Sequence, residues 1–188
     1  MVDHQAAASL SFGPAERDEE RELIERARRD PRAFSVLYRL HVRSITNYLY
    51  RRTGDHHVTE DLAAEVFLKG LSAIRDFRHR GVPLRHWLLR IADNLANNWS
   101  TRRRKHAEPP SDLSAPEREE SCDAELLRLA LDRLPRRYRT VLTLHHVEGL
   151  GVDELARLLR CRPGTIKSRL SRGRDALRSE LQRLGTDQ

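Results

Sequence analysis

Between Arg160 and Arg183 the chain sets eight cationic side chains against only Asp175 and Glu180. If this stretch is helical, Arg162, Thr165, Lys167, Ser168, Arg169 and Arg172 share a polar face. Opposite them Ile166, Leu170, Gly173, Leu177, Leu181 and Leu184 recur at steps of four and three, an apolar stripe. Guanidinium forks match phosphates and guanine edges, and short hydroxyl groups reach phosphates or bases, so the chemistry on offer is polyanion recognition. A basic face alone also suits any solvated bundle helix. The local context decides: Leu155, Ala156, Leu158 and Leu159 form a short helix, and Arg160-Cys161-Arg162-Pro163-Gly164 turns into the longer one. Short helix, turn, long helix is the outline of a helix-turn-helix, with small Ala156 where the helices cross and Pro163 where a missing N–H costs nothing.

Other chemistries lack their parts. The pairs His56-His57 and His145-His146, with Cys161, have no CxxC or HxxxC partner, and adjacent helical histidines diverge by ~100°, so no metal is expected. A Walker-type glycine loop, a nucleophile elbow and an HExxH helix are all missing, which argues against phosphoryl transfer and zinc hydrolysis. No cofactor is expected, and a nucleic-acid-processing enzyme would need clustered carboxylates or metal ligands.

The elements that would position this face are helical throughout. Leu23, Ile24 and Ala27 form one apolar face after Glu19; Phe34, Leu37, Tyr38, Val42, Ile45, Tyr48 and Leu49 form a longer one ending near Thr53-Gly54-Asp55. A third helix is predicted from about Thr59, as N-cap, through Leu62, Val66, Phe67, Leu71 and Ile74. After a charged loop over 76–83, Leu84, Trp87, Leu88, Ile91, Ala92, Leu95 and Trp99 predict a fourth, running into Arg102-Arg103-Arg104-Lys105. Between His106 and Glu125 seven acidic residues face Arg118 alone, among Pro109, Pro110 and Pro116: a solvated linker. Periodicity resumes at Leu126, is broken or restarted at Pro135, and turns at Gly149 and Gly151. The expected architecture is all-α: a disordered tail over 1–18, a helical domain over 19–105, a linker over 106–124 and a helix-turn-helix domain over 125–185.

Composition agrees. At 188 residues, 38% hydrophobic and 34% charged, the chain suits several small helical cores rather than one large one. No apolar run approaches the ~18 residues of a membrane span, the N-terminus lacks a secretory pattern, and two cysteines make no disulfide framework. A cytoplasmic protein without membrane insertion is expected. The net charge of +7 favours a polyanionic partner only weakly, because just three of the 35 cationic residues are lysine, and that arginine bias is also what a GC-rich genome produces.

Leu134-Pro135-Arg136-Arg137-Tyr138-Arg139, Val141-Leu142, Val147-Glu148-Gly149-Leu150 and Gly164-Thr165-Ile166-Lys167-Ser168-Arg169-Leu170 resemble region 4 of bacterial sigma factors of the extracytoplasmic-function (ECF) type, in the sigma-70 family. Ala33-Phe34, Leu37-Tyr38, Glu60-Asp61-Leu62, Glu65-Val66-Phe67-Leu68 and the run from Trp87 to Ala96 resemble region 2. The resemblance spans roughly Glu19 to Leu184, with both modules in the family's order.

It implies a non-catalytic subunit that binds core RNA polymerase, directs promoter-specific initiation and helps melt the promoter. Asp61, Leu62, Glu65 and Phe67 fall where the family docks on the beta-prime clamp helices; Ala64 stands where Gln is common, and Leu62 and Phe67 also suit a core. The −10 element, opened to single strands, would meet Phe77, Arg78, His79, Arg80 and Arg85 in the loop and Asn94, Asn98, Arg102, Arg103 and Arg104 beyond it. A flipped base needs a pocket that recovers its unstacking cost; Asn supplies a donor and an acceptor for base edges, and the Arg run tracks phosphates. Trp87 suits core packing or base stacking. Gly81-Val82-Pro83-Leu84 departs from the family's small polar residues there, so the preferred flipped base does not carry over. The −35 duplex would meet Arg162, Gly164, Thr165, Lys167, Ser168, Arg169 and Arg172. Arg160 takes a turn position usually held by Gly, at a cost of about 1 kcal/mol, and Gly151 replaces the usual Ser cap, with Glu154 three residues on. The resemblance further implies the beta flap as a docking site, an anti-sigma factor as partner, and a monomer when free. The competing reading, an operator-binding regulator, leaves the segments 60–67 and 87–94 without a task.

Overall fold

The computed structural model describes residues 14–77, 82–106 and 122–186, and every regular element among them is helical. Helix α1 (Pro14–Arg29) starts five residues earlier than the apolar pattern suggests, at a proline, which suits a first helical position. A short 3-10 turn (Pro31–Ala33), capped by the Asp30 carboxylate on the Arg32 N–H at 2.9 Å, leads into α2 (Phe34–Thr53). Gly54 ends α2 at φ +66, a left-handed position glycine adopts without steric cost.

Helix α3 (His56–Ala73) begins before the expected Thr59. Its cap is Asp55, whose carboxylate accepts the Val58 N–H at 3.0 Å, while Thr59 is buried and shares a 2.8 Å hydrogen bond with Thr53. The polarity that marked Thr59 as a cap instead serves an internal bond. Helix α4 (Leu84–His106) closes the first bundle against α2 and α3. Gly70 lets them approach: a Cβ there would stand 3.0 Å from Leu88 Cδ2 and 3.3 Å from Phe34 Cζ. Arg28 ties α1 across the end of α3, donating to the carbonyls of Ile74 and Phe77, where cations favour the negative helix terminus.

The second bundle comprises α5 (Cys122–Arg133), α6 (Arg136–Leu142), a π-helical turn (Thr143–Val147), α7 (Val152–Leu159) and α8 (Pro163–Thr186). Helix α5 already includes Cys122, at the end of the expected linker; Pro135 separates α5 from α6 as its missing N–H requires. Glu154 Oε2 accepts the Gly151 N–H at 2.8 Å, so the cap read from the sequence forms with Gly in place. Arg160 sits at φ 52, ψ 51, the left-handed turn expected of it. Gly173 keeps α6 and α8 close, since a Cβ there would lie 3.2 Å from Leu142 Cδ1.

The two bundles are not apart. Their apolar cores meet in one cluster, and polar residues cross between them. Asp93 of α4 is buried and accepts hydrogen bonds from Tyr48 (2.9 Å), Asn97 (2.8 Å) and, from the second bundle, Thr140 (2.7 Å). Arg139, only 1% exposed, bonds Asp132 at 2.8 Å and reaches Ser100 of α4 at 3.5 Å. Arg52 completes this layer, 3.2 Å from Asn97 Oδ1 and 3.8 Å from Asp132.

Candidate nucleic-acid interface

The first half of α8 presents the face read from the sequence. Ile166 and Leu170 are buried against α6 and α7, which turns Arg162, Gly164, Lys167, Ser168 and Arg172 to the exterior, with Thr165 and Arg169 half-buried at its edge. Ala156, buried at the crossing, and the turn through Arg160 fix the angle between α7 and α8. Cys161 in that turn is half-buried. The result is a rigid helix offering cations and a hydroxyl outward, a shape that enters a major groove.

On the first bundle the expected residues divide. Arg78, His79 and Arg80 lie outside the described residues, as does the side chain of Arg104. Asn98, Arg102 and Arg103 are exposed on α4, with the Arg103 guanidinium 5.4 Å above the Trp99 ring. Phe77 is a core residue, 5% exposed with its ring centroid 4.9 Å from that of Trp87, so it offers no free face to a base. Its apolar ring is better satisfied under α4 than in the loop. Trp87 is half-buried and, with Lys69, Arg90, Asn94 and Asn98, lines an open groove of about 480 Å³. That volume falls within the range of small-molecule sites.

Arg85 and Asn94 are covered by the second bundle. Arg85 donates from Nε to Ser44 Oγ (2.9 Å) and from Nη2 to Glu148 Oε2 (2.5 Å), while Arg51 donates to Glu148 Oε1 (2.8 Å). Asn94 Oδ1 accepts from Arg136. Beside them Arg90 caps the C-terminus of α7 through the Leu158 carbonyl at 2.6 Å, and burial next to Arg160 lowers the Arg90 pKa. His86 is held below its usual pKa by burial, although Glu154 of α7 pulls the other way. Sequence reading gave no role to Arg51 or Thr140, and named Glu148 and Asp93 only within motif segments. Polar residues off the apolar stripe look solvated until the second bundle covers them.

The acidic surface of α3 also differs from expectation. Asp61 and Glu65 are exposed, Glu65 pairing with Lys69 at 3.3 Å, but Leu62 and Phe67 are buried. Phe67 packs edge-on against Phe34 and Tyr38, with centroids 6.5 and 4.7 Å away. The apolar groups that face outward here are Leu68, 64% exposed, and Tyr38, 43% exposed. His56 stacks on Tyr50 at 4.5 Å, and His145 Nδ1 meets the Leu150 carbonyl at 2.7 Å.

Comparison with known proteins follows this division. Residues 37–106 match the family model for sigma-70 region 2, and residues 124–177 match that for sigma-70 region 4. The chain is 32% identical to the RNA polymerase sigma-H factor of Pseudomonas aeruginosa, over 89% of this chain and 96% of that one. It is 31% identical to the ECF RNA polymerase sigma-E factor of Escherichia coli, over 86% and 94%. Among solved structures it resembles the sigma factor RpoE of Bartonella quintana bound to the anti-sigma factor NepR, at TM-score 0.58 and 25% identity, covering 79% of this chain and 96% of that one. It shares the fold of CnrH in complex with the cytosolic domain of CnrY, at TM-score 0.63 and 22% identity, covering 87% and 97%.

Proposed function

The chain belongs to the ECF sigma factors of the sigma-70 family and is a promoter-recognising factor of transcription initiation; from that premise we propose how its surfaces divide the work. The outward face of α8 reads the −35 element as duplex, through Arg162, Gly164, Thr165, Lys167, Ser168, Arg169 and Arg172. The observation that carries this is the exposure of that face: Arg162, Lys167 and Ser168 stand in solvent and Arg172 stays exposed beside the Tyr138 hydroxyl, while the opposite stripe is spent on packing. An operator-binding regulator would leave the region 2 bundle unexplained.

The first bundle handles the −10 element. Asn98, Arg102 and Arg103 face outward along α4, and the groove beside Trp87 has room for an unstacked base, with Asn94, Asn98 and Lys69 at its rim. Asn94 and Arg85 join once the second bundle moves away. Polymerase docks on the α3 surface at Asp61 and Glu65, with Leu68 and Tyr38 supplying the apolar contact that buried Leu62 and Phe67 do not. The C-terminal half of α8, around Leu177 and Leu181, offers a second apolar surface suited to the beta flap. The chain itself performs no catalysis and works in the cytoplasm beside polymerase. An anti-sigma partner is supported by the likeness to the Bartonella quintana sigma factor solved in complex with an anti-sigma factor.

The test is reconstituted transcription with core polymerase. Promoter-specific initiation is expected, and Arg169→Ala is expected to weaken −35 binding by ~1–3 kcal/mol while relaxing preference at one base pair. A loss uniform over all sequences would show that Arg169 holds a phosphate instead, and absence of initiation would refute the division of labour.

A further inference from the structure

Glu148 is an acid from the second bundle held in a site that the first bundle builds for an anion. Its side chain is 2% exposed, and each carboxylate oxygen takes a separate guanidinium: Oε1 that of Arg51 at 2.8 Å, Oε2 that of Arg85 at 2.5 Å. Ser44 Oγ accepts from Arg85 Nε at 2.9 Å and so fixes the direction in which that fork points. Arg85 also stands in the first turn of α4, which holds no acidic residue. Helix N-termini favour negative groups, so a cation there calls for an anion close by. The Leu84 N–H is already taken by Glu20. Among the described residues Glu148 is the carboxylate that pairs with Arg51 and Arg85, and it departs whenever the bundles separate.

Separation is required on the reading above. Elements centred about 25 base pairs apart lie roughly 85 Å from each other along B-form DNA. A compact chain of this length has a radius of gyration of about 16 Å, too small to reach both. Once open, Arg85 would join Arg51, whose side chain is already 54% exposed, in facing solvent beside the α4 surface assigned to the −10 strand. A phosphodiester offers two unesterified oxygens in nearly the arrangement of a carboxylate's pair, and bidentate arginine recognition suits both. We propose that Arg51, Arg85 and Ser44 form a binding site for a DNA backbone phosphate, and that Glu148 occupies it in the closed chain as an internal competitor. This rests on the reading of the first bundle as the −10 module. It adds Arg51 and Ser44 to the contact surface and gives Glu148 an inhibitory task.

The experiment titrates full-length protein against a fluorescein-labelled, mixed-sequence single-stranded oligonucleotide, by anisotropy over a series of salt concentrations. Glu148→Gln is expected to bind about tenfold tighter than the parent, since two charge-assisted hydrogen bonds no longer hold the site shut. Adding Arg51→Ala in that background should reverse at least half of this gain and reduce the magnitude of the salt slope by about 0.7, the value for one single-strand phosphate. In the parent background Arg51→Ala should change little, because the site is filled. If Glu148→Gln misfolds, Thr140→Val loosens the same interface with Glu148 intact, and Arg51→Ala is read in that background. Equal affinity and equal slope with and without Arg51 in the opened protein would overturn the proposal. Arg103→Ala in the same background separates the two claims: if it weakens binding and Arg51→Ala does not, the phosphate site fails and the −10 reading stands. If neither weakens binding, both fall.

Discussion

The hydrogen bond from Thr140 to Asp93 allows the union of the two bundles to be measured in free energy. Thr140→Val keeps the shape of the side chain and removes the donor, while Asp93 retains Tyr48 and Asn97. A hydrogen bond to a charged acceptor contributes about 1.5–3 kcal/mol net, so a destabilisation near 2 kcal/mol is expected. Asp93→Ala should cost more, upwards of about 4 kcal/mol, because it also deprives the fully buried Tyr48 hydroxyl and the Asn97 amide of their acceptor. Tyr48 adds to this cost: burial, then the Asp93 carboxylate, raise its pKa well above the phenolic range, so its proton stays in place to donate. In a double-mutant cycle the two changes should couple by about 1.5–2.5 kcal/mol. Equilibrium urea unfolding suits the measurement, since Trp87 and Trp99 both lie on α4 and their fluorescence reports on the first bundle. Thr140 belongs to the second bundle, so a shift in the tryptophan-detected midpoint reports energy crossing between them. An unmoved midpoint with coupling below about 0.5 kcal/mol, the level at which independent sites add, would refute the packed arrangement.

Three further outcomes follow from individual residues. His41 is buried beneath Arg85, and burial first, then the Arg85 charge, lowers its pKa to about 4. The Glu20 carboxylate 3.6 Å away does not outweigh these effects. The unfolded chain therefore takes up this proton at higher pH than the folded one, so stability should decline as pH falls from about 6.5 to about 4, by roughly 3 kcal/mol at most; His41→Gln should flatten that segment of a pH–melting profile, and an unchanged profile would show that His41 does not control it. Arg160→Gly relieves a left-handed residue worth about 1 kcal/mol and should raise the melting temperature by about 2–4 °C; a lower value would mean that the arginine side chain stabilises more than its backbone costs. Phe77→Ala removes a buried ring and should cost about 3–5 kcal/mol in denaturant unfolding, while leaving the oligonucleotide affinity of the folded protein near that of the parent; a selective loss of affinity would return Phe77 to the DNA surface.

Much of the fold was open to reading because helices announce themselves locally. The three-four spacing of Leu37, Ile45, Tyr48 and Leu49, or of Ile166 and Leu170, marks the face that must leave water whatever covers it, and all six are buried. Gly54 identified a turn for a similar reason, since a left-handed residue is a local backbone property, whereas the left-handed backbone at Arg160 was implied only by the family resemblance. The outward face of α8 was legible by subtraction: once the stripe is buried, Lys167 and Ser168 are left facing outward, as is Arg172 beside the Tyr138 hydroxyl. Local pattern misled where one residue type serves two ends. Thr59 can cap a helix or bond inside it, and Phe67 and Phe77 can pack or stack on a partner; the choice went to Thr53, Tyr38 and Trp87, each on another helix.

The amino-acid order alone thus indicated helices in two groups and a basic face on the last of them, because each depends on spacing within a few turns of chain, and its motifs carried the resemblance to the family. Tertiary structure decided how the groups meet. Asp93, Arg139 and Glu148 are charged, and charge seen in isolation predicts exposure to water, yet all three are buried. Burying them is tolerable only when opposite partners arrive together at hydrogen-bonding distance. Those partners lie 47 residues apart for Asp93 and Thr140 and 97 apart for Arg51 and Glu148, beyond the reach of any local pattern.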